Sequence, residues 1–126
     1  MRKVSLPSAI TQRLDELRGL GENRETNELA ITDVAIHKAK AALGHAMEVD
    51  RDVLSAPSIG ALPDGGIVIE WRLATGKEMI LEISGESDMG YLLVIPGDNG
   101  KEDEFDKEIG TWQELDVALR TLSDRG

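Results

Sequence analysis

The sequence predicts an α+β protein: two amino-terminal helices, a three- or four-stranded antiparallel meander, and a carboxyl-terminal helix. Apolar residues recur at helical spacing before residue 50, alternate over residues 67–73, form a short continuous run over residues 91–95, and return to helical spacing after Thr111. Strands clustered between helices, rather than alternating with them, favour α+β over α/β. A chain of 126 residues has the usual size of one domain, so residues 1–126 are predicted to form a single domain.

The two amino-terminal helices are predicted from their apolar stripes. Ile10, Leu14 and Leu17 lie on one face of a first helix, which we expect to end at Gly19 or Gly21. A second helix over residues 28–48 carries a stripe of mostly small residues, namely Ile31, Ala35, Ala39, Ala42 and Ala46. The stripe predicts packing within the chain, on the sheet or the first helix; the alternative is a seam between two copies.

Turn sequences divide the middle of the chain into strands. Pro63-Asp64-Gly65-Gly66 is a strong turn, after which residues 67–73, 79–83 and 91–95 each read as a strand. The links between them are short, and short links permit only antiparallel neighbours. Residues 57–62 add a predicted fourth strand.

The first clear strand separates its side chains between two faces. Trp71 shares the aliphatic face, which we expect to lie against the helices. Glu70 and Arg72 point to the other face, toward water or a partner. Glu82 on the next strand is expected opposite one of them, in a cross-strand ion pair.

The last part of the chain begins acidic and ends helical. Residues 98–110 are predicted to form a solvated loop, and the EF-hand spacing of calcium ligands is absent from it. Thr111 and Glu114 match a capping box. The helix that follows carries the apolar stripe Trp112, Leu115, Leu119 and Leu122.

Charge and composition narrow the class of partner. The formal net charge is −10, from 24 acidic and 14 basic residues, so nucleic acid is disfavoured as a partner. The absence of cysteine removes disulfides and thiolate metal sites and fits a reducing, cytoplasmic location. No apolar run approaches the roughly 20 residues of a membrane helix and no signal-peptide pattern opens the chain, so no membrane association is expected.

Catalytic chemistry has few candidates in this sequence. His37 has Asp33 four residues before it on the second predicted helix. His45 has Glu48 three residues after it. Pairs of this kind are common on helix surfaces, and a zinc or iron site needs further convergent ligands. We therefore predict no enzyme activity, no metal and no cofactor.

One segment resembles a known group of proteins. The run Pro57-Ser-Ile-Gly-Ala-Leu-Pro-Asp-Gly-Gly-Ile-Val-Ile-Glu-Trp71, followed by Met79-Ile-Leu-Glu-Ile83, is similar to a hairpin of small uncharacterised bacterial proteins. The resemblance covers about a quarter of the chain and consists mostly of turn and core residues. It implies a bacterial or phage origin and a shared fold, and it carries no active site.

Three function classes follow from these observations. The leading hypothesis is a non-enzymatic protein-binding module of antitoxin, immunity or phage-inhibitor type, which engages a protein partner, basic in character, through an acidic or sheet surface. A small structural homodimer and a metal- or histidine-dependent enzyme are the alternatives. The residues predicted to bind the partner are Glu70, Arg72, Glu82, Asp98, Glu102, Asp103, Glu104 and Asp106.

Overall fold

The computed structural model describes residues 6–19, 29–86, 88–97 and 100–124. Its helices are α1 (Ser8–Arg18), α2 (Asp33–Leu54) and α3 (Trp112–Ser123), and its strands are β1 (Ser58–Ala61), β2 (Ile67–Arg72), β3 (Glu78–Ile83), β4 (Met89–Pro96) and β5 (Glu102–Ile109). The α+β class, the two amino-terminal helices, the antiparallel sheet and the final helix are confirmed. The predicted helix end at Gly21 and the acidic residue Asp98 lie outside the described residues.

The strands form one sheet in the order β1-β2-β3-β4-β5, and each pairs antiparallel with its neighbours. The predicted three or four strands are therefore corrected to five. The fifth strand replaces most of the loop that the sequence predicted over residues 98–110. Its acidic residues have low strand propensity. They lie exposed at a sheet edge, however, where their carboxylates remain in water and the backbone forms its hydrogen bonds with β4.

Helix α2 begins and ends later than predicted. The Thr32 hydroxyl accepts a hydrogen bond from the backbone N–H of Ala35 at 3.1 Å, which caps the helix start. Asp50 has non-helical φ and ψ of −162° and 93°, and its carboxylate accepts the N–H of Val53 at 3.2 Å. The carboxylate thus starts a further helical turn that carries the chain to Leu54.

The core lies between the helices and one face of the sheet. Ala35, Ala39, Ala42 and Ala46 are all fully buried, so the predicted packing of this stripe within the chain is confirmed. Their small side chains let α2 approach β2 and β3 closely. Trp71 is 2% exposed, as predicted, and its indole N–H donates to the Leu54 carbonyl at 3.1 Å. That bond satisfies the indole inside the core.

The other two helices are attached to opposite parts of the sheet. Helix α1 contacts β1, and the Arg13 Nε donates to the Ile59 carbonyl at 2.9 Å. Helix α3 packs on α2 and β5. Its predicted cap is confirmed, because the Thr111 hydroxyl accepts the N–H of Glu114 at 3.2 Å. No helix in the described part of the chain is long and apolar enough to cross a lipid bilayer.

The turn at residues 63–66 and the turn at Gly85, which follows β3, contact each other and the start of α2. Gly66 lies so close to β3 that a Cβ there would overlap the Ile83 carbonyl oxygen. The Asp64 carboxylate accepts the Gly66 N–H at 2.9 Å, and the Thr32 hydroxyl donates to the Gly85 carbonyl at 2.8 Å. The tight turn predicted from sequence therefore also holds the amino terminus of α2.

Two glycine-to-alanine substitutions should have opposite effects on stability. Gly66→Ala should lower the free energy of unfolding by about 3 kcal/mol or more, because backbone atoms must move to admit the methyl group. Gly44→Ala should raise it by about 0.5–1 kcal/mol, because Gly44 lies within α2 with open space around its Cβ position. Urea unfolding of both variants measures the difference, and equal values would contradict the close approach at Gly66.

Candidate functional site

The sheet face opposite the helices, called the open face below, carries most of the charged side chains of the strands. Because side chains alternate along each strand, the neighbours of the buried residues point to this face. Its carboxylates are Glu70, Glu78, Glu82, Glu102, Glu104, Asp106 and Glu108. Arg72 is the cationic side chain among its described strand residues. The open face is therefore strongly acidic.

An apolar strip runs between these carboxylates. Val68, Ile80, Leu92 and Val94 are each half-buried. The register places Ile80 between Glu70 and Leu92, and Leu92 between Ile80 and Asp106. A partner that covers this face would bury apolar surface at its centre and meet charge at both sides, which is the usual arrangement of a protein interface.

Gly90 leaves a recess in the open face. It pairs with Glu82 on β3 and with Glu108 on β5, so two carboxylates flank a position without a side chain. The recess has a volume of about 250 Å³ and is lined by Glu82, Ile80 and Asp106. A cavity of about 480 Å³ shares Glu82 and Gly90 with it, has Glu108 in its lining, and extends to the end of the sheet at Asp64 and Asp88.

The carboxylates around Gly90 are available to a ligand. The side chains of Glu82, Asp106 and Glu108 form no hydrogen bond or ion pair with any other residue that the structure describes. Asp64 is different, because its carboxylate accepts the N–H groups of Gly66 and Gly85. Free carboxylates in a recess of this size can accept hydrogen bonds from a lysine ammonium or an arginine guanidinium.

The Glu70 and Arg72 interaction differs from the predicted one. Glu82 lies opposite Val68, so the expected cross-strand ion pair with Glu82 is wrong. Arg72 instead donates to the Glu70 carboxylate on its own strand at 3.0 Å. This hydrogen bond is the main reason that the pKa of Arg72 lies above its usual value. The negative charges of Glu70 and Glu78 raise the pKa of Arg72 further. The register places Glu78 rather than Glu82 opposite Arg72, because the length of the turn after Arg72 decides the pairing.

The predicted partner-binding residues divide between the two faces of the sheet. Glu70, Arg72, Glu82, Glu102, Glu104 and Asp106 lie together on the open face. Asp103 lies opposite Ile95 and points to the helix side, so it does not join them. Asp98 is outside the described residues. The prediction missed Glu78, Glu108 and Gly90. For Glu108 the sequence held a signal, because acidic residues at every second position from 102 to 108 indicate one acidic face.

The histidines occupy other surroundings than predicted. His37 is exposed, and the Asp33 carboxylate contacts Arg18 at 2.8 Å. His45 Nδ1 lies 2.8 Å from Asp116 Oδ1 on α3, and its ring stacks on Trp112 with 4.7 Å between centroids. This contact fastens α2 to α3. Within the described ranges, no group of three His, Cys, Asp or Glu side chains could hold a metal ion.

Comparison of the chain with protein-family models, curated proteins and solved structures finds no match.

Neutralising one open-face carboxylate should stabilise the protein at low ionic strength. Glu104 lies between Glu102 and Asp106 on the same face of β5, and like charges at this spacing repel. Glu104→Gln should raise the free energy of unfolding by a few tenths of a kcal/mol at about 0.01 M salt, and the gain should vanish at about 1 M salt.

A matched control separates repulsion from a general effect of the substitution. Glu114 lies in the first turn of α3, where its charge favours the helix. Glu114→Gln should therefore lower the free energy of unfolding. Chemical denaturation at both salt concentrations measures both variants, and destabilisation by Glu104→Gln at low salt would disprove mutual repulsion on β5.

Proposed function

We propose that this protein is a non-enzymatic binding module whose open face covers a basic surface of a protein partner. The observation that carries the proposal is the continuous sheet face on which unpaired carboxylates surround an apolar strip and a recess. Unpaired carboxylates repel one another and so weaken the free protein, whereas a cationic partner would convert this repulsion into attraction.

The apolar strip and the charges have separate roles in the proposed interface. Burial of Val68, Ile80, Leu92 and Val94 against the partner would provide the non-directional part of the affinity. The net charge of −10 would accelerate the encounter with a basic surface, and this acceleration falls with ionic strength. A lysine or arginine of the partner placed in the Gly90 recess would meet Glu82, Asp106 and Glu108. Contacts with these three carboxylates would determine which basic surface binds.

Such binding suits a protein of antitoxin, immunity or phage-inhibitor type, which acts by covering the working surface of another protein. This assignment is an analogy at the level of class. A homodimer through the open face is disfavoured by the same charges, because two acidic faces would be brought together.

Two double variants with the same change in charge should differ in partner binding. Glu104→Lys with Asp106→Lys reverses charge on the open face, and Asp15→Lys with Asp52→Lys makes the same change at exposed positions of α1 and α2. Tagged protein and both variants are used to capture partners from a lysate of the source cells, with quantitative mass spectrometry. The wild type and the helix variant should recover the same stoichiometric partner, and the open-face variant should lose it.

The outcome distinguishes a specific face from overall acidity. Equal loss with both variants would show that net charge alone attracts the partner. Recovery of no stoichiometric partner by the wild type would reject the binding-module proposal. Thermal unfolding of the three proteins verifies that each remains folded.

Filling the recess at Gly90 should weaken binding without unfolding the protein. A Cβ at this position would lie 3.4 Å from the Lys107 carbonyl oxygen and 3.9 Å from the Glu108 Cα, both ordinary contacts. Gly90→Val should therefore leave stability unchanged or slightly raised, because valine favours strands. It should weaken partner binding about tenfold or more, the effect of losing a hydrogen bond to a charged group. Gly90→Ala should weaken it less, and titration calorimetry of the two variants tests this order.

A further inference from the structure

The edge strand β5 is a template for another strand. It ends the sheet order and is eight residues long, and each of its side chains except Ile109 is exposed. No strand in the described part of the chain pairs with its outer edge. An unpaired edge presents a row of backbone N–H and C=O groups, which can pair with an extended segment of another chain.

The two sides of this edge differ in chemistry. Glu102, Glu104, Asp106 and Glu108 point to the open face. On the helix side Phe105, which is 49% exposed, lies between the exposed Asp103 and Lys107, and Val117 of α3 is 59% exposed. Between α3 and the strands lies a groove of about 550 Å³, with Tyr91, Leu93 and Ile95 in its lining. A strand placed beside β5 would therefore have four carboxylates on one side. On the other side it would have Phe105 between Asp103 and Lys107, and a groove whose apolar lining comes from β4 and α3.

We propose that β5 binds an extended, basic segment of the partner as a sixth strand, with lysine or arginine alternating with aliphatic residues. This inference rests on the proposed function and specifies the partner's contacting element. The added strand would lie about 4.8 Å from β5. Its cationic side chains would face the open-face carboxylates of β5, and its aliphatic side chains would lie beside Phe105 and enter the groove below Val117.

A second copy of this chain does not suit the same edge. When two β5 strands pair antiparallel with their helices on one side, the open-face residues of one copy oppose those of the other. All four of these residues on β5 are acidic, so every such register sets carboxylates opposite carboxylates. Like charges directly opposite each other destabilise a strand pair. The same charges that repel a second copy attract a basic segment.

Synthetic peptides test the sixth strand directly. The first peptide alternates Lys and Val over nine residues, and the second has the same composition with Lys and Val grouped in blocks. At low ionic strength the alternating peptide should bind at least about tenfold more tightly, since only its spacing separates charge from apolar side chains across a strand. Fluorescence anisotropy of labelled peptides measures both affinities.

Backbone pairing is tested by methylation of the peptide nitrogens. One version of the alternating peptide is N-methylated at the Lys positions and the other at the Val positions. Alternate N–H groups of a strand point to the same edge, so one version should lose binding by about tenfold or more and the other should retain it. Equal affinities of the two versions would overturn strand addition.

Paired variants test the groove. Val117→Ser should weaken the alternating peptide severalfold, whereas Val34→Ser, at a valine 53% exposed on α2, should not. A peptide affinity that is lost with Glu104→Lys and Asp106→Lys, but is unchanged by peptide spacing, by methylation and by Val117→Ser, would overturn the sixth strand. That result would leave the proposed function standing. Binding of none of the peptides would overturn the sixth strand, and the capture experiment decides the proposed function separately.

Discussion

The three helices lie on one side of the sheet, and no described element covers the other. This one-sided burial determines the surroundings of every strand side chain, because successive residues point to opposite faces. In β2 the core receives Ile67, Ile69 and Trp71, which are almost fully buried, and the open face receives Val68, Glu70 and Arg72. The acidic face thus depends on the same alternation that builds the core.

The side that the helices cover is held by a few defined contacts. Thr32 caps α2 and donates to the turn at Gly85, while Asp64 accepts backbone N–H groups from both turns at this end of the sheet. At the far end of α2 the Leu54 carbonyl accepts the Trp71 indole N–H. These contacts hold both ends of the helix against β2 and β3. A face that is held in this way would lose little entropy in binding the proposed partner.

The carboxylates on the open face repel one another, and a bound cationic partner would remove this repulsion. Glu102, Glu104 and Asp106 follow one another along one side of an edge strand without a cationic neighbour on that side of β5. Charged edges protect sheets from pairing with copies of themselves. Under the proposed function this protection is selective, because the carboxylates that repel an acidic segment would attract a basic one.

The sequence by itself determined the elements whose pattern is local. Ile10, Leu14 and Leu17 formed the buried stripe of α1, Thr111 capped α3, and Trp71 entered the core, all as their spacing indicated. The alternation of residues 67–73 was also sufficient to separate Glu70 and Arg72 from the core, because the two faces of a strand differ by a single step along the chain.

Only the tertiary structure decided which side chains meet across strands and whether the acidic segment forms a strand. Residues 102–109 contain mostly poor strand formers, and β4 beside them provides the hydrogen bonds that make them a strand. The turn lengths between strands set the register, so Arg72 lies opposite Glu78 rather than Glu82, and its ion pair forms with Glu70 on its own strand. The recess at Gly90 likewise exists because Glu82 and Glu108 lie on either side of it. Strand register and edge position depend on residues that are far apart in the chain. Local strand propensity therefore does not predict them.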